Sequence, residues 1–223
     1  LDQMIAAGMK SINVSLDTLN PKKFIELTRR DRFDVVQKNI ELASDAGLKI
    51  KINVVLMKGT NEDEILDFIA LTKHKPYEIR FIEFMPFDEN QWNWEKVISQ
   101  KSLLEILQHH FSNTTLIKLE DAKNTTSKNY SLDQFKGSFG FISTITQPFC
   151  DTCNRIRLTA DGKIKNCLFS NEETDLLTAL RKGENVESLI LSSILNKHAK
   201  HAGIDFNNSN TIHKHRTMTA IGG

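Results

Sequence analysis

Leu48-Lys-Ile-Lys-Ile-Asn-Val-Val-Leu-Met57 decides how the first part of this chain folds. Ile50, Ile52 and Val54 alternate with Lys49, Lys51 and Asn53. That is the strand period, with one apolar face and one that carries charge. A lysine on an interior strand needs an anion, whereas on a solvent face it needs none. The segments on either side follow the helical period instead. Phe33 to Ala46 reads as a helix closed by Gly47, the residue type that ends helices in a left-handed turn. Asn61, with Glu64 three places on, has the form of a capping box opening a helix to about Lys75.

Working outward, Tyr77 to Met85 is the next strand, with Glu78 and Arg80 on one side and Pro86 at its end. Upstream, Lys10 to Asp17 is a strand whose Ser11, Asn13 and Ser15 alternate with Ile12, Val14 and Leu16. Such a strand either looks into a cavity or forms a wet edge. Asn20-Pro21 caps a short helix through Arg30, and Leu1 to Gly8 reads as the end of another. Strands alternating with helical crossovers make parallel βα units, whose ligands lie at the carboxyl ends of the strands. Three such units cannot close a barrel. The expected fold class is therefore α/β, the C-terminal half of an incomplete TIM-type barrel, followed by an irregular α+β domain. The expected domains are 1–88 and 89–223.

The second part is less regular. Lys101 to Phe111 reads as a helix, Thr114 to Leu119 as a strand, Asp121 to Ser131 as a polar loop and Phe135 to Thr146 as a strand. Thr174 to Lys182 and Val186 to His201 read as helices, the second with Leu189, Ile190, Ile194 and Leu195 as its core stripe. The 29 basic and 28 acidic residues nearly cancel. No global field therefore attracts nucleic acid or membrane, and any polyanion site must be local. No apolar run is long enough to cross a bilayer, and no signal peptide is evident.

All three cysteines fall between Gln147 and Ser170, as C-x2-C-x13-C at Cys150, Cys153 and Cys167. An odd, clustered set argues against a disulfide scaffold and fits a reducing cytoplasm. Three soft thiolates in one segment point to a metal or cluster. A structural zinc site would need a fourth ligand, for which tail residues His213 and His215 are candidates. A four-iron cluster held by three thiolates would keep one iron open. Asp161-Gly162 is a hairpin signal that folds the chain back and brings Cys167 near the other two. Arg155 and Arg157, two apart, share a face if their run is extended, and their planar forks suit phosphate or carboxylate.

Phe-Cys-x-x-Cys-Asn-Arg-x-Arg-Leu-x-x-Asp-Gly-Lys-x-x-x-Cys-Leu, from Phe149 to Leu168, resembles the carboxy-terminal cluster motif of the GTP 3',8-cyclases. These are the molybdenum cofactor biosynthesis protein A family of radical S-adenosylmethionine (SAM) enzymes. The resemblance implies a 4Fe-4S cluster on Cys150, Cys153 and Cys167, facing GTP through an open iron. It further implies GTP binding by Lys51, Arg80, Arg155 and Arg157, SAM contacts from Ser15 and Met85, and a catalytic Gly222-Gly223 end. Under it, Lys51 faces a triphosphate. The implied reaction is the SAM-dependent cyclisation of GTP to 3',8-cyclo-7,8-dihydro-GTP.

One departure is large. The family's SAM cluster needs C-x3-C-x2-C, and the sequence has no such motif. Leu1 also lies inside a helical pattern without an initiator methionine, which suggests a fragment. The missing barrel part, with its second 4Fe-4S cluster, is either on a partner chain or cut from this one, and this polypeptide alone is expected to be inactive. A homodimer is the other expected assembly. Two alternatives stand beside this reading. One is a zinc-stabilised binding module built on the same cysteines. The other is a radical SAM protein acting on a peptide, against which Arg-x-Arg and the Gly-Gly end both speak.

Overall fold

Alternation along β2 (Lys49–Leu56) organises the first half of the molecule: Ile50, Ile52, Val54 and Leu56 are buried, while the residues between them are not. A computed structural model describes residues 1–88, 90–208 and 216–218. The chain forms two units, Leu1–Phe84 with Trp94–Gln147, and Met85–Asn93 with Pro148–Gly223. The boundary expected at 88/89 falls inside 85–93, which belongs to the second unit. Residues 94–147 pack with the sheet of the first.

The first unit is mixed α/β around a parallel sheet. Its helices are α1 (Asp2–Ala6), α2 (Pro21–Thr28), α3 (Phe33–Asp45), α4 (Ile65–His74) and α5 (Gln100–His110). Its strands are β1 (Ser11–Ser15), β2, β3 (Glu78–Glu83), β4 (Leu116–Lys118), β5 (Lys128–Leu132) and β6 (Ser138–Ile142). They lie in the order β1-β2-β3-β6-β5-β4. The first four are parallel, and β5 and β4 add on antiparallel. The Phe135 to Thr146 segment thus supplies a fourth parallel strand. The loop expected to run to Ser131 gives way at Lys128 to β5, because pairing with β6 overrides its polar composition.

Local signals explain several boundaries. Asn20 accepts from the backbone N–H groups of Lys22 and Lys23, and Pro21 opens α2, so the cap and the fixed φ agree. Gly47 takes φ +84° just past α3. The core packs Phe68 of α4 edge-on to Phe81 of β3, which stacks on Phe141 of β6 at 5.8 Å between centroids. The capping box expected at Asn61 does not form. A short 3-10 turn, Glu62–Glu64, leads into α4, and both Asn61 and Glu64 are buried in other service.

The second unit has three short strands, β7 (Arg157–Leu158), β8 (Lys163–Lys165) and β9 (Thr174–Asp175), paired antiparallel in that order. Two helices follow, α6 (Leu176–Arg181) and α7 (Val186–Leu195). The core stripe expected on the last helix is not buried: Ile194 and Leu195 are exposed, and the buried residue of α7 is Ser193. A small aromatic group packs this unit instead, with Phe169 against Phe87, His201 and Phe206.

Candidate functional site

The face of the parallel sheet opposite the core is polar, and strand register sorts its residues into rows. Asn13, Lys51, Glu78 and Ser138 stand side by side across β1, β2, β3 and β6. One row further toward the carboxyl ends stand Ser15, Asn53, Arg80 and Gly140. Lys51 and Arg80 converge on one carboxylate. Lys51 Nζ lies 3.6 Å from Glu78 Oε2, and Arg80 Nε donates to Glu78 Oε1 at 2.6 Å. Both cations expected to bind GTP are therefore held by a residue that sequence reading had placed only on the same side as Arg80. Side chains two apart on a strand share a face, which is the signal that would have found the pair.

Asn53, in the next row, carries the second missed feature. Its Oδ1 is buried and has no hydrogen-bond partner among the described residues. A buried acceptor left unpaired costs about 1–3 kcal/mol. Ser15, in the same row, is exposed at the end of edge strand β1.

Buried polar groups brace the carboxyl edge of this sheet. Glu64 accepts from the Thr18 hydroxyl at 2.7 Å and the Leu19 backbone N–H at 2.5 Å, and pairs with Lys23 at 2.7 Å. Asn61 donates to the carbonyls of Asp17 and Val55 and accepts from Met57 N–H. Burial pushes the Asp17 carboxyl above its usual range, opposed by the Val55 N–H that it accepts. Glu83, buried at the end of β3, accepts from Ile145 N–H at 2.6 Å and from Thr146 N–H, fixing the exit of β6. Rigid strand ends of this kind hold ligand-facing side chains in place.

In the second unit, Cys150 opens a short 3-10 turn and Cys153 closes it, its N–H donating to Cys150 O at 3.1 Å. The hairpin expected at Asp161-Gly162 forms. Arg157 pairs with Lys165 and Leu158 with Ile164, and Gly162 takes φ +76° at the turn. The Thr159 hydroxyl donates to Asp161 at 2.6 Å and accepts from Lys163 N–H. That bond, with Arg216 beside it, holds the Asp161 carboxyl down to about 2. Cys167 follows β8, and its carbonyl accepts from Ser170 N–H.

All three cysteines are free thiols and half-buried. Burial pushes the Cys167 thiol up, and Cys150 and Cys153 add to the effect. Burial also raises Cys153, but the Arg155 backbone N–H and the Lys197 ammonium outweigh it and leave this thiol below its usual range. Lys197 Nζ reaches Cys153 Sγ at 3.4 Å. Among the described residues no three His, Cys, Asp or Glu side chains close around a single ion. An iron–sulfur cube is larger than one ion and takes thiolates set further apart. Three soft, free and half-buried thiols fit such a group.

The arginines of the motif are arranged less simply than their spacing predicts. β7 covers only Arg157 and Leu158, so the extended run begins at 157. Arg155 precedes it, its guanidinium 5.7 Å from the Phe149 ring centre. Lys165, opposite Arg157, is buried at 2% exposure and paired with Glu173 at 3.6 Å. Burial lowers the Lys165 ammonium, and Glu173 opposes the shift. Glu173 also binds Arg216 at 2.8 Å. Met85 is half-buried, its carbonyl accepting from the Asn90 amide at 2.7 Å. The expected catalytic pair Gly222 and Gly223, and the tail residues His213 and His215, lie outside the described residues.

Comparison with known proteins is consistent along the chain. Residues 1–72 match the Radical SAM superfamily model, and residues 77–203 match Molybdenum Cofactor Synthesis C. The Bos taurus protein named molybdenum cofactor biosynthesis protein 1 is 43% identical over 99% of this chain and 35% of its own length. The mitochondrial GTP 3',8-cyclase of Arabidopsis thaliana is 42% identical over 92% of this chain and 53% of its own. The GTP 3',8-cyclase of Alkaliphilus oremlandii is 41% identical over 97% and 66%. The chain spans about a third of the length of the animal relatives it matches.

Proposed function

The chain belongs to the Molybdenum Cofactor Synthesis C family, with a radical SAM segment before it, and from that premise we propose that it serves a GTP 3',8-cyclase. The reaction is the SAM-dependent cyclisation of GTP to 3',8-cyclo-7,8-dihydro-GTP, in molybdenum cofactor synthesis. The parallel sheet is read as part of an incomplete barrel, and the cysteine unit as an iron–sulfur domain. Cys150, Cys153 and Cys167 would hold a 4Fe-4S cluster. When bound, that cluster supplies an iron without a protein thiolate, open to the purine.

The chain's own residues then bind and orient. Arg155 and Arg157 are assigned to GTP, and their forks pair with phosphate oxygens in two parallel bonds. Lys51 and Arg80 carry the same assignment. Glu78 holds both until a polyanion competes for them, so the carboxylate sets their direction in the absence of substrate. Ser15 and Met85 are assigned to SAM, and Gly222-Gly223 to the reacting centre. The chain has no C-x3-C-x2-C. SAM cleavage by this polypeptide alone is therefore not expected; those cysteines come either from a partner chain or from a longer form of this one. The zinc-module alternative finds no support: the relatives are named for cofactor synthesis.

The observation that carries the reading is the Asp161-Gly162 hairpin, which folds β8 back on β7 just ahead of Cys167. Anaerobic reconstitution with iron and sulfide tests it. A brown protein whose cluster spectrum changes on adding GTP is the expected result. A colourless protein that holds zinc, or a brown one indifferent to GTP, would sink it.

A further inference from the structure

Lys197 lies just beyond α7, with its backbone N–H closing the helix on Ile194 O. Its side chain crosses to a segment 44 residues earlier. There the ammonium reaches three acceptors: Cys153 O at 3.1 Å, Cys153 Sγ at 3.4 Å and Arg155 O at 2.9 Å. An ammonium has three donors and no acceptor. All three are spent on one short loop, the one that joins a cysteine of the cluster motif to the first arginine of that motif.

Two of the bonds go to backbone carbonyls and hold the loop's path. The third places an N–H and a full positive charge on the sulfur. Such contacts do more than hold a shape. Hydrogen bonds to cluster sulfurs and nearby charge set the reduction potential, and groups behind the ligands orient them.

We propose that Lys197 is the positioning residue of the three-cysteine cluster, fixing Cys153 through the loop carbonyls and raising the cluster's midpoint potential through the sulfur. The assignment rests on the cluster reading above. Reduction adds negative charge to the cluster, and a fixed ammonium beside a ligand sulfur stabilises the reduced form more than the oxidised one. The same side chain bonds the carbonyl of Arg155, so cluster geometry and the setting of a GTP-assigned residue are tied through one group.

The test uses the full chain, reconstituted anaerobically, with iron content and a redox titration followed by electron paramagnetic resonance. Lys197→Met keeps the length and removes the charge. It is expected to shift the oxidised-to-reduced ratio at a fixed potential about tenfold toward oxidised, equivalent to about 59 mV for a one-electron couple. Lys197→Arg, which keeps charge and donors, is expected to stay within about twofold of the wild type. If Lys197→Met loads its iron with an unchanged potential, or if Lys197→Arg shifts as far as Lys197→Met, the assignment is overturned. Should Lys197→Met fail to load iron, Lys197→Gln is titrated in its place, with the same two outcomes. Failure of the wild type itself to hold iron would overturn the cluster reading, and this assignment with it.

Discussion

The two units of this protein are stabilised by different means. In the sheet unit, one apolar cluster joins β2, β3 and β6 to α3, α4 and α5 and runs from Leu16 to Phe141. In the cysteine unit the strands are two or three residues long. Leu158 is 67% exposed and Leu195 74%. Beside its small aromatic group, that unit is held by specific features: a turn glycine, the Thr159–Asp161 bond, the buried Lys165–Glu173 pair with Arg216, and a lysine tied to a cysteine loop. An apolar core is tolerant of detail, because burial is nondirectional. A segment built on geometry is not tolerant, and its chemistry depends on each bond. The cluster proposed there would contribute to its folding as metal binding does in small domains.

The sharpest way to break the comparison is in the core. Phe81→Ala should cost about 3–5 kcal/mol in a denaturant titration, since the ring is wholly buried between Phe68 and Phe141. The loss should leave the local thiol environment of the cysteine unit unchanged, as read by thiol reactivity below the transition. If both regions respond together, the division into two supports is wrong.

Gly162→Ala attacks the other support. Gly162 sits at φ +76°, and a Cβ there would run into the Leu177 side chain. A loss of about 1–3 kcal/mol is expected from the strained backbone and the clash. Iron retention should fall with it, because the hairpin carries Cys167 back. A variant that keeps full iron content would separate the hairpin from the site.

A smaller effect on stability, with a larger one on binding, is expected at Asn53. Asn53→Leu removes a buried acceptor that has no partner among the described residues, so stability should stay within about 1 kcal/mol or rise. Nucleotide affinity, measured by titration calorimetry with GTP and with SAM, should drop about tenfold for at least one of them, as loss of a hydrogen bond predicts. Unchanged affinity for both would leave the polar row without a ligand role.

The smallest effect is that of pH. The Asp161 carboxyl is held down to about 2, first by the Thr159 hydroxyl and then by Arg216. A group lowered in the folded state contributes stability above its unfolded value near 4, and that contribution fades as pH falls toward about 2. The carboxyl is exposed, so the dependence should be shallow. Titration of the Asp161 carboxyl by carbon NMR with a midpoint near 4 would remove the Thr159–Asp161 bond from the account.

Several features were legible because they are local. Asn20-Pro21, Gly47 and Asp161-Gly162 act within a turn of the chain, so residue type alone decides the backbone path. The alternation of β2 and β3 announced one buried face, and C-x2-C-x13-C marked three thiols as candidate ligands. The failures share a different cause. Asn61 and Glu64 match a capping box in spacing, yet Glu64 is claimed by Thr18 and Leu19 across 46 and 45 residues. Ile194 and Leu195 fit a core stripe by period, yet both stay exposed among the described residues, and period reports a face without its partner.

The sequence by itself therefore determined most of the elements and the parallel βα order, and it singled out three cysteines as candidate ligands, since each follows from spacing along the chain and the chemistry of one side chain. Only the tertiary structure decided which charges meet. Glu78 between Lys51 and Arg80, Glu173 between Lys165 and Arg216, and Lys197 on Cys153 arise from register and from contacts across tens of residues. A charge is one symbol in a sequence. Its partner is set by strand pairing and by the path of the chain, and the energy of the pair depends on a few ångströms that spacing does not contain.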